Sequence, residues 1–459
     1  MAARTPMRSG SLPAHDPTPA DLEKLATYPH VVVSWVEDGG YPTSVATTFD
    51  VDLGQRTVRL AAPAGLRIPT DREVSVTGSH IRPQPGIGYD ERRYTQLWGT
   101  VADGTTFVAT RAWGWDETEV PFFEYSERSV PQSRRYLAAL SAEKGREIRP
   151  RLSLFWLALR TTRLPFLSAT AVPVLLGIAV AISHGSFTWW TALLTLIGGS
   201  LAHLGINVTN DIFDTLSGAD DANTTPTQFS GGSRVAVYDL VSIRGLSWLA
   251  VALFGGAAAI GLLLVAVTGS MTLLWIGIAG IVVGVAYTAP PVKLVYRGLG
   301  EIAVAIGFGP IMLLGAYVVQ TGRLAWEPFV VSLVPGILIA LILYVNEIPD
   351  RRSDAATGKR TLPVRLSPAV VQTGYLVMAV AAFAIVVGGV ATGLLPWPTL
   401  VALAAVPIAL RVHQGLKVHY DSPYTLMAVM GTNVNLNLAV GGLLLAAYAA
   451  WIVGIRVFG

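Results

Sequence analysis

The 459-residue chain has no cysteine, which excludes disulfides, thiolate catalysis and Cys-ligated zinc or iron–sulfur centres. Any metal must be held by oxygen or imidazole. Charge is also scarce: Asp, Glu, Lys and Arg make up 14% of the residues, against 52% hydrophobic ones and a mean hydropathy of +0.51. That balance is too oily for an ordinary soluble protein and places most of the chain in a bilayer. The net charge of +3 and pI near 9.0 do not indicate nucleic-acid binding, because the Lys and Arg residues are scattered singly and form no basic stripe. The first twenty residues, with Pro and charge but no apolar core, lack what a signal peptide needs and read as a flexible cytoplasmic tail.

Two regions follow different patterns. Residues 21–130 alternate in short β-branched and aromatic runs separated by Gly-containing turns: VVVSWV (31–36), YPTSVATTFDVDL, RTVRLA, EVSVTG (73–78), YTQLWGTV (94–101) and TTFVATRAW (105–113). This pattern predicts antiparallel hairpins closed into a small β barrel. Residues 131–152, which include SRRYLAALSAEKGREIRPR, read as a basic connector helix near the headgroups.

Residues 153–459 are a different matter. Nine apolar segments, centred near 174, 198, 257, 280, 310, 337, 381, 403 and 445, are long enough to cross a bilayer, each needing roughly 20 residues. The expected fold is therefore nine transmembrane helices preceded by a cytoplasmic antiparallel β-barrel. Alternate connections carry Arg234, Arg244, Lys293, Arg297, Arg351, Arg352, Lys359, Arg360, Arg365, Arg411 and Lys417, whereas the opposite connections and the C-terminal end carry only Arg323 and Arg456. The bias puts the first set, with the N-terminal domain, in the cytoplasm and the C-terminus on the other side.

Two polar clusters end even-numbered spans on the cytoplasmic side. In NVTNDIFDTLSGAD, Asn207, Asn210, Asp211 and Asp214 fall at i, i+3, i+4 and i+7 and share a helical face. In VNEIPDRRSD, Asn346, Asp350 and Asp354 fall at i, i+4 and i+8, with Pro349 a potential kink. One such cluster is explained equally well by helix capping and solvated loop ends. Two at matched depth favour a site, because a carboxylate at the centre of a membrane helix costs on the order of 2.5–3.5 kcal/mol. Oxygen-only donors suit Mg²⁺, which takes one or two protein carboxylates and completes its shell with water and phosphate oxygens. Lys293, Lys359 and Arg360 lie near enough in sequence to neutralise a diphosphate. The connection YTAPPVKLVYRGLGE (287–301) taken by itself reads as a positive-inside anchor with interfacial aromatics, and Asn433, Asn435 and Asn437 read as helix-packing amides.

These motifs resemble the UbiA superfamily of intramembrane prenyltransferases. NDIFDTLSGAD is similar to its first Asp-rich motif, NEIPDRRSDAATGKRTLPVRL to its second, and YTAPPVKLVYRGLGE to the Tyr-Pro-Pro-Lys segment between them. Within it, GKRTLPVRL and YRGLGE look most like 1,4-dihydroxy-2-naphthoate polyprenyltransferases. The resemblance implies Mg²⁺-dependent transfer of a polyprenyl group from its diphosphate to an aromatic acceptor in menaquinone biosynthesis, with Asp211, Asp214, Asp350 and Asp354 catalytic. It implies Arg163, in LRTTRLPFL, and Tyr287 as substrate-binding residues. FSGGSR (229–234) departs from the family's usual stretch, and its Arg234 is a further acceptor candidate. The N-terminal region is similar to pyridoxamine-phosphate-oxidase-like split barrels, which implies an FMN with Arg67 near its phosphate, or a barrel without flavin. Other readings are a UbiA-type transferase or cyclase with another acceptor, a nine-span transporter, and a flavin-linked quinone reductase.

Overall fold

The computed structural model describes residues 14–61, 63–84, 88–120, 125, 135–148, 153–223, 226–227, 229–238 and 240–458. The first part of the expected tail and both ends of the connector helix, at 131–134 and 149–152, lie outside the described residues. Within the connector, 135–144 are helical. The chain divides into two compact units, Met1–Ile148 and Arg149–Gly459.

The first unit is one seven-stranded antiparallel sheet in the order β2-β1-β5-β6-β7-β4-β3. Its strands are β1 Val31–Val36, β2 Pro42–Thr47, β3 Phe49–Asp52, β4 Thr57–Leu60, β5 Val74–Gln84, β6 Gly88–Val101 and β7 Thr106–Asp116. The run YPTSVATTFDVDL, expected as one strand, is two: β2 pairs with β1 and β3 with β4, at opposite ends of the order. Only Thr48 joins them, and one residue spans at most about 3.6 Å. The sheet must therefore curl until its edges meet, which gives the half-barrel form of the split-barrel domain. Helix α1, Pro19–Ala26, begins with a capping box between Thr18 and Asp21 and buries Leu22 and Leu25 in the core that also holds Val33, Trp35, Val58 and Phe107.

The second unit is helical. After α2, Leu154–Thr162, the apolar helices are α3 Ser168–Ser183, α4 Trp189–Ser217, α5 Ile243–Thr268, α6 Met271–Thr288, α7 Gly300–Thr321, α8 Trp326–Ala356, α9 Pro368–Ala391, α10 Trp397–His419 and α11 Thr425–Gly454. Eight of the nine are long and apolar enough to span, which makes this a multi-pass membrane protein. The exception is α3, at 16 residues. Its shortness has a local cause: Arg163 adopts a left-handed backbone (φ 54°) before the 3₁₀ turn Leu164–Leu167, so α2 and α3 cannot join.

Helix α8 is the centre of the bundle, with 72% of its apolar window buried against 39% or less for the other spans. It runs through Pro349 without ending, which brings Asn346, Asp350 and Asp354 into its last turns. Asn433 on α11 donates to the Leu341 carbonyl of α8 at 2.9 Å and accepts from the Tyr375 hydroxyl of α9 at 3.1 Å, as a packing amide should. The segment with Arg411 and Lys417, expected as a connection, is helical as far as His419.

The crossing of α7 and α8 has no room for side chains. A Cβ on Gly336 would stand 2.6 Å from the Ala305 carbonyl oxygen, and one on Gly309 would stand 2.7 Å from that of Ser332. Gly336→Val should therefore push the helices apart and cost about 1–3 kcal/mol, read as a lower melting temperature of the detergent-purified protein.

Candidate active site

The sequence of α4 delivers its candidate site residues in about the last three turns, from Asn207 to Ser217. Gly218 then closes the helix in a left-handed conformation (φ 81°). Among these residues Asp214, 4% exposed, is the most heavily partnered. It accepts from the Tyr296 hydroxyl at 2.8 Å, the Asn210 amide at 3.1 Å and the Lys359 ammonium at 3.2 Å. Lys359 also lies 3.6 Å from Asp354 at the end of α8, so one cation joins the two Asp-rich motifs. Burial opposes its charge, but the carboxylates of Asp214 and Asp354 outweigh that and hold its pKa well above the ordinary lysine value.

The remaining two motif aspartates are tied by the loop between α4 and α5. Asp350 accepts from the Asn223 amide at 2.8 Å and the Gly231 backbone N–H at 2.9 Å. Asp211 accepts from the Ser233 N–H at 3.2 Å and faces the Arg163 guanidinium at 3.4 Å. The FSGGSR segment thus reaches both motifs through its backbone. Gly231 and Gly232 supply the left-handed angles (φ 77° and 71°) that aim the amides. A side chain at Gly232 would collide with Asp220, 2.8 Å from where its Cβ would stand.

Most of the expected site residues line one cavity of about 1200 Å³. They are Arg163, Asn207, Asn210, Asp214, Tyr287, Asn346, Asp350, Asp354 and Lys359. Asp211 is 2% exposed and lies behind this wall, engaged by Arg163 and Ser233. Arg234 is buried, with its guanidinium donating to the Asp220 carbonyl at 2.6 Å, and so serves the loop's own fold. Lys293 stacks on the Tyr296 ring at 4.8 Å, and Arg360 is exposed. Arg67, in the other unit, is exposed after β4.

Three further residues, outside the expected site set, take part. Tyr296 belongs to the connection read as an anchor, yet its hydroxyl bonds Asp214 and its ring is within 4.8 Å of the Lys293 ammonium and 5.6 Å of that of Lys359. Burial and then the Asp214 charge push its phenol up. Asn223 has no sequence signal beyond its neighbourhood. Asp220, past the helical face, lines the cavity after all, with Oδ2 unpartnered; burial and the carboxylates of Asp214 and Asp211 push it well above the usual range.

The donor set fits a divalent cation that arrives with a ligand. Buried Asp354 Oδ2, Asn346 Oδ1 and Asp220 Oδ2 have no hydrogen-bond partner, so oxygen donors stand ready at the mouth of the cavity. Among the described residues no three His, Asp or Glu side chains converge to hold a metal by themselves. Mg²⁺ does not require that, since one or two carboxylates plus phosphate oxygens and waters complete its shell.

The chain can be compared with known proteins. The UbiA prenyltransferase family model matches residues 170–437, within the helical unit. A 2-carboxy-1,4-naphthoquinone phytyltransferase of Synechocystis sp. is 28% identical over 312 residues, covering 65% of this chain and 94% of that protein. A 1,4-dihydroxy-2-naphthoate octaprenyltransferase of Mycobacterium tuberculosis is 32% identical over 239 residues, covering 52% of this chain and 78% of that one. Among solved structures, a UbiA homolog from Archaeoglobus fulgidus bound to GPP and Mg²⁺ is 14% identical with a TM-score of 0.41, covering 64% of this chain and 99% of that chain.

Removing the shared cation leaves two buried carboxylates facing each other. Lys359→Met should lower stability by about 3–5 kcal/mol in denaturant or thermal unfolding, and adding Asp214→Asn should recover part of that loss. Additive losses in the double variant would show that the pair does not interact.

Proposed function

Because this chain belongs to the UbiA prenyltransferase family, we propose that it transfers a polyprenyl group from an allylic diphosphate to an aromatic acceptor. The acceptor that the relatives' names favour is 1,4-dihydroxy-2-naphthoate, as in menaquinone synthesis. The observation that carries this reading is that residues of both Asp-rich motifs line one largely apolar cavity, with Lys359 between them. A charged head and an oily tail are the two halves of a polyprenyl diphosphate.

Asp214, Asp350 and Asp354, with Asn207, Asn210 and Asn346, are the residues that would hold Mg²⁺, and Asp211 supports them through Arg163 and Ser233. The ion would supply charge neutralisation for the diphosphate. Lys359, with Lys293 and Arg360, adds cationic charge at the oxygens that take up the electron pair as the allylic C–O bond breaks. The allylic carbon then bonds to an electron-rich ring carbon. If that carbon bears a carboxylate, CO₂ leaves and its bonding pair returns to the ring; otherwise a proton passes to a carboxylate or to diphosphate. Arg163 and Tyr287 line the cavity, and in this reading Arg163, which also faces Asp211, would hold the acceptor's carboxylate. The apolar walls exclude water that would otherwise capture the cation.

The Lys- and Arg-rich ends of the spans, and with them the Asp-rich motifs and the N-terminal domain, belong on the cytoplasmic side by the positive-inside bias. A prenyl diphosphate made in the cytoplasm would then meet the site with its tail in the bilayer.

Purified protein given Mg²⁺, allylic diphosphates and 1,4-dihydroxy-2-naphthoate should yield a prenylated naphthoquinol of predictable mass. Chelation with EDTA should stop the reaction. Asp350→Ala and Asp211→Ala should each reduce diphosphate release by about a hundredfold or more. Unchanged release in both variants would remove the motifs from the chemistry, and transfer to some other aromatic acid alone would correct the acceptor.

A further inference from the structure

Resting on the prenyl-transfer reading, we infer that the cavity is built for a donor tail of five or more isoprene units and that Gly261 and Gly277 hold its deep half open. Helix α4 contributes wall residues from Asp214 back to Leu194. Those 20 residues (214 − 194) advance about 30 Å at 1.5 Å each. The cavity therefore runs close to the full thickness of a bilayer's hydrocarbon core.

Depth on the other walls follows from contacts across the cavity's helices. A Cβ on Gly205 would lie 3.1 Å from Phe254, and one on Gly198 would lie 3.0 Å from Ile260. Gly261 is thus near the level of Gly198, 16 residues below Asp214 (214 − 198), or roughly 24 Å. On α6, a Cβ on Gly284 would lie 3.0 Å from Ile206. Gly277 stands two turns deeper on that helix, at roughly 22 Å. Both glycines line the cavity, and neither has any atom within 4 Å of where a Cβ would stand. Just beyond them Leu264, Leu273 and Val319 line the cavity as members of the packed core, and these form its floor.

The head group's end is marked independently by the buried, unpartnered Asp354 Oδ2 and Asn346 Oδ1 at the opposite mouth. An extended isoprene unit has four main-chain bonds and advances about 5 Å, close to one helical pitch. A two-unit tail would then stop well above the glycines and a four-unit tail at about their level. A longer tail uses the remaining depth, which a shorter one would leave as an empty apolar void without contacts on one side. Bulk at either glycine should shorten what the cavity accepts without touching the motifs.

The test is a competition between allylic diphosphates of two and six isoprene units, with products resolved by mass. The native protein should turn over the six-unit donor at least as well as the two-unit one. Gly261→Leu and Gly277→Leu, made separately, should each lower the six-unit to two-unit product ratio by about tenfold or more. Widening the floor with Leu273→Ala should move the ratio the other way with a still longer donor. If the native protein rejects the six-unit donor, or if both leucine variants keep the native ratio, the inference is wrong while prenyl transfer stands. Failure of the native protein to release diphosphate from any donor would instead overturn the transfer reading.

Discussion

One ammonium group holds the two halves of the site together. Lys359 lies between Asp214, in the last turn of the second apolar helix, and Asp354, at the end of the central one. Neither carboxylate could be buried here without a cation, because isolated charge in a medium of low dielectric is far more costly than a hydrogen-bonded pair. The central helix α8 is buried along most of its apolar stretch, so the ion pair has a rigid partner to work against. The site's geometry thus depends on a bundle that brings residues 214 and 354 to one point, and the bundle's polar end depends on that pair being made.

A second tie is made by the backbone. The amides of Gly231 and Ser233 reach Asp350 and Asp211, so the loop after the first motif connects it to the second through its backbone, beside the Asn223 side chain. Backbone donors of this kind can be given up to an incoming ligand and regained when it leaves, with no change in sequence chemistry. Arg234 keeps the loop folded from within by binding the carbonyls of Asp220 and Asn223. Arg234 itself is not among the residues that line the cavity.

Much of this was readable from the sequence where spacing maps directly onto a face. The strands VVVSWV and RTVRLA, the apolar spans, and the i, i+4, i+8 row Asn346, Asp350, Asp354 all follow from a period of 2 or 3.6. Periodicity failed where a single backbone angle intervened. Left-handed Arg163 shortened the first span below spanning length, and the break at Thr48 turned one expected strand into two at opposite sheet edges. It also could not show which residues from distant connections would meet. Tyr296 and Asn223 touch Asp214 and Asp350 across 82 and 127 positions of sequence, and only the assembled bundle brings them there.

The curl of the N-terminal sheet matters for a chain that lives in a membrane. Copies of a multi-pass protein share a surface and not a volume, so their appended domains collide often. An open sheet edge in that setting would offer unpaired amides to the next copy, the usual start of strand-by-strand polymerisation. Here the two outermost strands are short, six and four residues, and Thr48 draws them together. The domain can therefore be crowded along a plane without zippering to its neighbours.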